Sequence, residues 1–93
     1  QECAELIELA DANGCTLFVG HVFLYSAAVA KLKEIITNGE LGDICYISST
    51  RLNLGPVRRD VNALWDLAPH DVSIINFILG EPPTAVSAWG RSS

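Results

Sequence analysis

The sequence predicts an α/β fold in which helices and strands alternate. Three observations carry that expectation. Apolar residues recur at helical spacing over 2–13, over the stretch that follows Ser26, and over 67–79. Between and after these lie strand-like stretches at 16–24, 43–53 and 84–90. Hydrophobic residues make up 49% of the 93 positions and charged ones 18%, so the chain has the means to bury a core and is not a disordered segment. The length suits one small domain, of marginal stability on its own, since a domain this size buries only about 60–65% of its unfolded surface.

The elements follow in order. Residues 2–13 read as a helix whose apolar side is Ala4, Leu6, Ile7, Leu9 and Ala10, with Asn13-Gly14 as the stop. Residues 16–24 are almost continuously apolar, the pattern of a strand buried on both faces in a parallel sheet. Ser26 suits the N-cap of the next helix. Val29, Leu32, Ile35 and Ile36 would form its buried stripe, Lys31, Lys33 and Glu34 its outer face, and Asn38-Gly39 its end. Residues 43–53 alternate, with Ile44, Tyr46, Ser48, Thr50 and Leu52 on one face and Cys45, Ile47, Ser49, Arg51 and Asn53 on the other. A loop is expected from Gly55 to about Leu64. A buried helix then covers 67–79, with Pro69 tolerated in its first turn and Gly80 ending it. Glu81-Pro82-Pro83 makes a turn into a last strand at 84–90. Strands joined by helices should run parallel with right-handed crossovers.

Composition excludes several function classes. A formal net charge of −5 argues against nucleic acid as a partner. The basic pair Arg58-Arg59 is followed at once by Asp60 and reads as a solvated loop. No apolar stretch reaches the roughly 18–20 residues a membrane span needs, so no membrane partner is expected. Cys3, Cys15 and Cys45 are odd in number and show no C-x-x-C spacing. Cys15 and Cys45 sit among apolar residues, which suggests buried, reduced thiols in a cytoplasmic protein and no metal site.

The segment that carries chemistry is Asn62-Ala63-Leu64-Trp65-Asp66-Leu67-Ala68-Pro69-His70-Asp71. Asp66 and His70 stand at i and i+4, on one helical face. A carboxylate beside an imidazole raises its basicity and can fix its tautomer, which suits proton transfer at a hydroxyl. The plain alternative is equally concrete: Asp66 as the N-cap of 67–79 and His70 as a first-turn residue bonded to a loop carbonyl. Trp65 can wall a pocket or sit in a core or interface. Asn53 and Arg51, at the polar end of a strand, can meet substrate hydroxyls or solvent. Asn62 can cap the loop or touch substrate. His21 can line a cofactor pocket or pack in the core. Asp71 would stabilise the positive end of its own helix.

The same residues resemble the Gfo/Idh/MocA oxidoreductases, the glucose–fructose oxidoreductase and inositol dehydrogenase family. Asp66-Leu67-Ala68-Pro69-His70 is similar to the family's D-x-G-x-H pattern near a helix start. Gly20-His21-Val22-Phe23-Leu24-Tyr25 resembles its strand leaving the nucleotide domain. Lys31 to Ile36, then Gly39 to Ile44, look like its next helix and turn. Arg51 to Gly55 and Trp65 to Asp71 resemble a branch associated with nucleotide-sugar metabolism. Ala68 replaces the usual Gly, and Ser73 stands where many members carry a second Asp, so the substrate does not carry over.

The resemblance implies an internal fragment. Residues 1–20 would be the tail of an NAD(P)-binding Rossmann domain. Residues 21–93 would be the N-terminal part of the C-terminal domain for substrate and oligomerisation, beginning with a βαβ unit. It further implies NAD or NADP as cofactor of the parent. It assigns His70 as the catalytic acid/base and Asp66 as the group that orients it or the substrate. Asn53, Asn62 and Trp65 stay as substrate-binding candidates and His21 as a cofactor-binding one, on their positions alone. The implied substrate is a sugar, nucleotide sugar or cyclitol hydroxyl, and the implied assembly a homo-oligomer through the sheet. The alternative is a non-catalytic ligand-sensing or oligomerisation module on the same fold. Neither G-x-G-x-x-G nor the family's Glu-Lys-Pro motif occurs in the 93 residues, so these alone should neither grip the cofactor tightly nor turn over.

Overall fold

The computed structural model of the chain describes residues 2–52, 55 and 59–91. The described elements are helix α1 (Glu2–Ala12), a short 3₁₀ helix (Val22–Tyr25), α2 (Ala27–Thr37) and α3 (Ala63–Leu79). The alternating α/β arrangement is not what forms: no strand is present among the described residues. Residues 22–25, expected in a strand, wind into the 3₁₀ helix, and the rest of 16–24, the described part of 43–53, and 84–90 join no ladder. The reason is physical. A helix closes its hydrogen bonds within one segment, whereas a strand needs a neighbour about 4.8 Å away to receive its N–H and C=O groups. Apolar alternation reports a face that suits a sheet. It does not supply the neighbour. A sheet edge for association is accordingly missing among these residues too.

The helices form largely where the pattern places them. Asn13 and Gly14 end α1, Gly14 with φ 62° and Cys15 N–H bonded back to the Ala10 carbonyl at 2.9 Å. Ser26 stands at the N-cap of α2 with extended backbone, but its hydroxyl makes no capping bond. α3 departs from expectation. It starts at Ala63 rather than at residue 67, because the Asn62 carboxamide oxygen accepts from Trp65 N–H at 3.0 Å and caps the helix earlier. Pro69 therefore lies inside α3 and not in its first turn. With no N–H, Pro69 cannot bond the Trp65 carbonyl, so one rung is missing in the turn that holds Asp66 and His70. Gly80 closes α3 in the left-handed region at φ 79°, its N–H bonded to the Asn76 carbonyl at 2.9 Å.

The core is where α2, α3 and the 3₁₀ helix pack together. Ile78 is the buried hydrophobic residue there, 4% exposed, flanked by half-buried Leu24, Val29, Ile35, Ile36, Ile74 and Ile75. Lys33, expected on the outer face of α2, is half-buried instead. Its ammonium donates to the Ile78 carbonyl at 3.1 Å and stands 5.9 Å from the Phe77 ring centre. It thereby meets the negative end of α3. Lys31 does stay outside, paired with Glu34 at 3.0 Å. The three cysteines are all exposed, against the expectation of buried thiols.

α1 stands outside the core cluster, and Leu6, Ile7 and Leu9 on its apolar side are exposed. So are Leu17, Phe18, Val19, Tyr46, Leu52, Val86 and Trp89 in the strand-like stretches. The chain exposes 8462 Å², where a compact monomer of its mass exposes about 5,200 Å². Its radius of gyration is 16.4 Å, against about 12 Å for a compact domain of this length.

Candidate active site

α3 supplies the core of the site. Its first turns carry Trp65, Asp66, His70 and Asp71 in one continuous helix, so Asp66 and His70 stand one turn apart on a shared face. Both are half-buried. The His70 ring meets Phe23 of the 3₁₀ helix edge-on, with centroids 4.9 Å apart and planes at 74°. The Ser73 hydroxyl donates to the His70 carbonyl at 2.8 Å.

Asp71 is not a helix-end carboxylate, since it lies in the third turn of α3. It receives a two-pronged bond from Arg51, Nε to Oδ2 at 2.7 Å and Nη2 to Oδ1 at 2.9 Å, and a third from the Ser49 hydroxyl at 3.2 Å. The two side chains are 27% and 25% exposed. The Arg51 bond holds the Asp71 carboxyl below the usual carboxylate range, with Ser49 adding to the effect, and the pairing raises Arg51 further. Arg51 therefore closes onto α3, and its guanidinium lies 5.1 Å from the Phe23 ring centre.

The remaining expected site residues fall out differently. Asn62 is committed as the cap of α3. Trp65 is 73% exposed and lines a cleft of about 520 Å³ with Glu2, Cys3 and Glu5 of α1. Asp66 and His70 do not line that cleft. His21 is half-buried at the cap of the 3₁₀ helix, and its side chain makes no capping bond. Asn53 lies outside the described residues. Nothing in the sequence marks Phe23 or Ser49 as site residues, and Ser73 stands out only as a departure from the family pattern. Phe23 in particular looks like one more apolar residue in a strand, and only the 3₁₀ winding brings it to His70. Among the described residues, no group of His, Cys, Asp and Glu could hold a metal ion. No helix among them is long and apolar enough to cross a membrane.

Residues 29–93, which include α2 from Val29 onward, Arg51 and α3, match the family model of the GFO/IDH/MocA C-terminal domain. The chain belongs to the GFO/IDH/MocA family. This GFO/IDH/MocA chain is similar to an uncharacterized oxidoreductase of Streptococcus pneumoniae, 23% identical over 97% of the chain and 27% of the relative. It is also similar to the uncharacterized oxidoreductase YrbE of Bacillus subtilis, 28% identical over 98% of the chain and 28% of the relative. The chain thus spans a little over a quarter of the length of these curated relatives. No solved structure matches it.

Proposed function

We propose that this chain carries the acid–base pair of an oxidoreductase acting on a hydroxyl of a sugar, nucleotide sugar or cyclitol. The observation that supports it most is the placement of Asp66 and His70 one turn apart in α3, with the His70 ring set against Phe23. In the oxidising direction His70 accepts the hydroxyl proton as the alcohol becomes a carbonyl. In the reducing direction it returns that proton. Asp66, one turn away, is the group that orients the imidazole. The names of the two relatives support the oxidoreductase class.

NAD or NADP would supply the hydride chemistry. The residues of this chain do not fit a dinucleotide site. They contain no G-x-G-x-x-G loop, and the cleft beside Trp65 is lined by Glu2 and Glu5, whose charge repels phosphates. In the whole protein other residues would hold the cofactor. Residues 21–93 belong to the substrate-side domain and residues 1–20 to the cofactor side.

The test is turnover of the full-length protein on a panel of sugars, nucleotide sugars and cyclitols. His70→Ala should lower turnover by about 10²–10⁴-fold. Unchanged turnover would exclude His70 as the acid–base group. A second reading, association without catalysis, is favoured by the exposed apolar residues Phe18, Tyr46, Val86 and Trp89. Sedimentation of the 93-residue chain as a clean monomer would remove it.

A further inference from the structure

We infer that Phe23 and Arg51 are positioning residues for the His70 imidazole. The inference rests on the acid–base role proposed for His70. The contacts form a closed circuit across three segments. Phe23 of the 3₁₀ helix meets the His70 ring at 4.9 Å. Arg51 lies over the same Phe23 ring at 5.1 Å. Arg51 is then fixed by its fork on Asp71, at 2.7 and 2.9 Å. Asp71 is the next residue after His70, so the circuit returns to its origin through the α3 backbone.

Each contact removes a freedom the imidazole would otherwise keep. The edge-on ring contact disfavours rotation of the His70 side chain away from Phe23. Phe23 sits on a short 3₁₀ helix, an element with few hydrogen bonds of its own. The Arg51 guanidinium also lies over the Phe23 ring, and the planar fork on Asp71 gives that guanidinium one orientation. Ser49 adds a third donor to Asp71 at 3.2 Å, and Ser73 ties the His70 carbonyl at 2.8 Å. Misplacing a proton-transfer group by about 1 Å can cost about 10²-fold in rate, so a circuit that fixes the ring acts on turnover more than on binding.

The experiment uses the full-length protein and compares His70→Ala, Phe23→Leu, Phe23→Tyr and Arg51→Gln. Two readouts are taken: the kcat and KM of each variant, and the proton NMR shift of the His70 ring, which the Phe23 ring current displaces. Phe23→Leu should lower kcat about 10- to 100-fold with KM changed less than about 2-fold, and should abolish the displaced shift. Phe23→Tyr keeps the aromatic ring and should recover both the shift and kcat to within about 3-fold. Arg51→Gln should fall between them. Wild-type kcat and shift in Phe23→Leu, or a loss confined to KM, would overturn the positioning role while a dead His70→Ala keeps the acid–base reading. A fully active His70→Ala would overturn the acid–base reading and the positioning role with it.

Discussion

The α2–α3 core and the strand-like stretches both draw on apolar-rich sequence, yet they end in opposite conditions. In the core, Ile78 is 4% exposed and Lys33 closes the end of α3. In the 84–90 stretch, Trp89 is 96% exposed, and Phe18 in the first apolar run is 69% exposed. The difference lies in where each backbone finds its hydrogen bonds. A helix carries its own and needs a neighbour only for its apolar face. A strand needs a neighbour before it exists. The candidate site is anchored in the first kind of region, since α3 holds Asp66, His70 and Asp71 without any sheet, and the strand-like stretches reach it only through the side chains of Phe23, Ser49 and Arg51.

This contrast can be broken by mutation. The largest effect is expected at Ile78. Ile78→Ala should destabilise the chain by about 2–5 kcal/mol, as deletions in a packed core do. Leu6→Ala in exposed α1 should stay within about 0.5 kcal/mol. Urea denaturation followed by circular dichroism measures both, and equal effects would mean that the core does not lie at the α2–α3 contact. Pro69→Ala should stabilise α3 by about 1–3 kcal/mol, because it restores the bond to the Trp65 carbonyl. A lower melting temperature in that variant would show that the missing rung is not a cost. Asn62→Ala should cost about 1 kcal/mol by uncapping α3. If α3 instead began at Leu67, the loss would be close to nothing.

The smallest effect is expected from acid. The Asp71 carboxyl titrates below its ordinary range because Arg51 holds it charged. Its contribution is therefore complete above the unfolded carboxylate value, about 3.9, and fades as pH falls through the lower folded value. NMR of the Arg51 side-chain N–H should show the contact with Asp71 intact at pH 5 and lost only in stronger acid. In Asp71→Asn that acid transition should vanish. Release of Arg51 near pH 5 would contradict the pairing.

The sequence makes the helices legible because their period, caps and glycine stops are local signals. Asn13-Gly14, Asn38-Gly39 and Gly80 all mark real ends. The Asp66–His70 spacing is legible for the same reason. The start of α3 is misread because Pro69 invites placement in a first turn, while the cap that matters, Asn62, stands earlier beside Ala63. The strands are misread because alternation encodes a face and says nothing of the partner. Phe23, Arg51 and Asp71 come together through contacts distant in sequence, so no local pattern announces their circuit. The half-buried position of Lys33 is hidden likewise, since its partner carbonyl at Ile78 is 45 residues away.

Amide hydrogen exchange on the 93-residue chain separates the two regions. Slow exchange should be confined to α2 and α3, with 16–20, 43–52 and 84–90 exchanging freely. Protection of 43–52 and 84–90 as strong as that of α3 would mean that a sheet forms after all, and would contradict that separation.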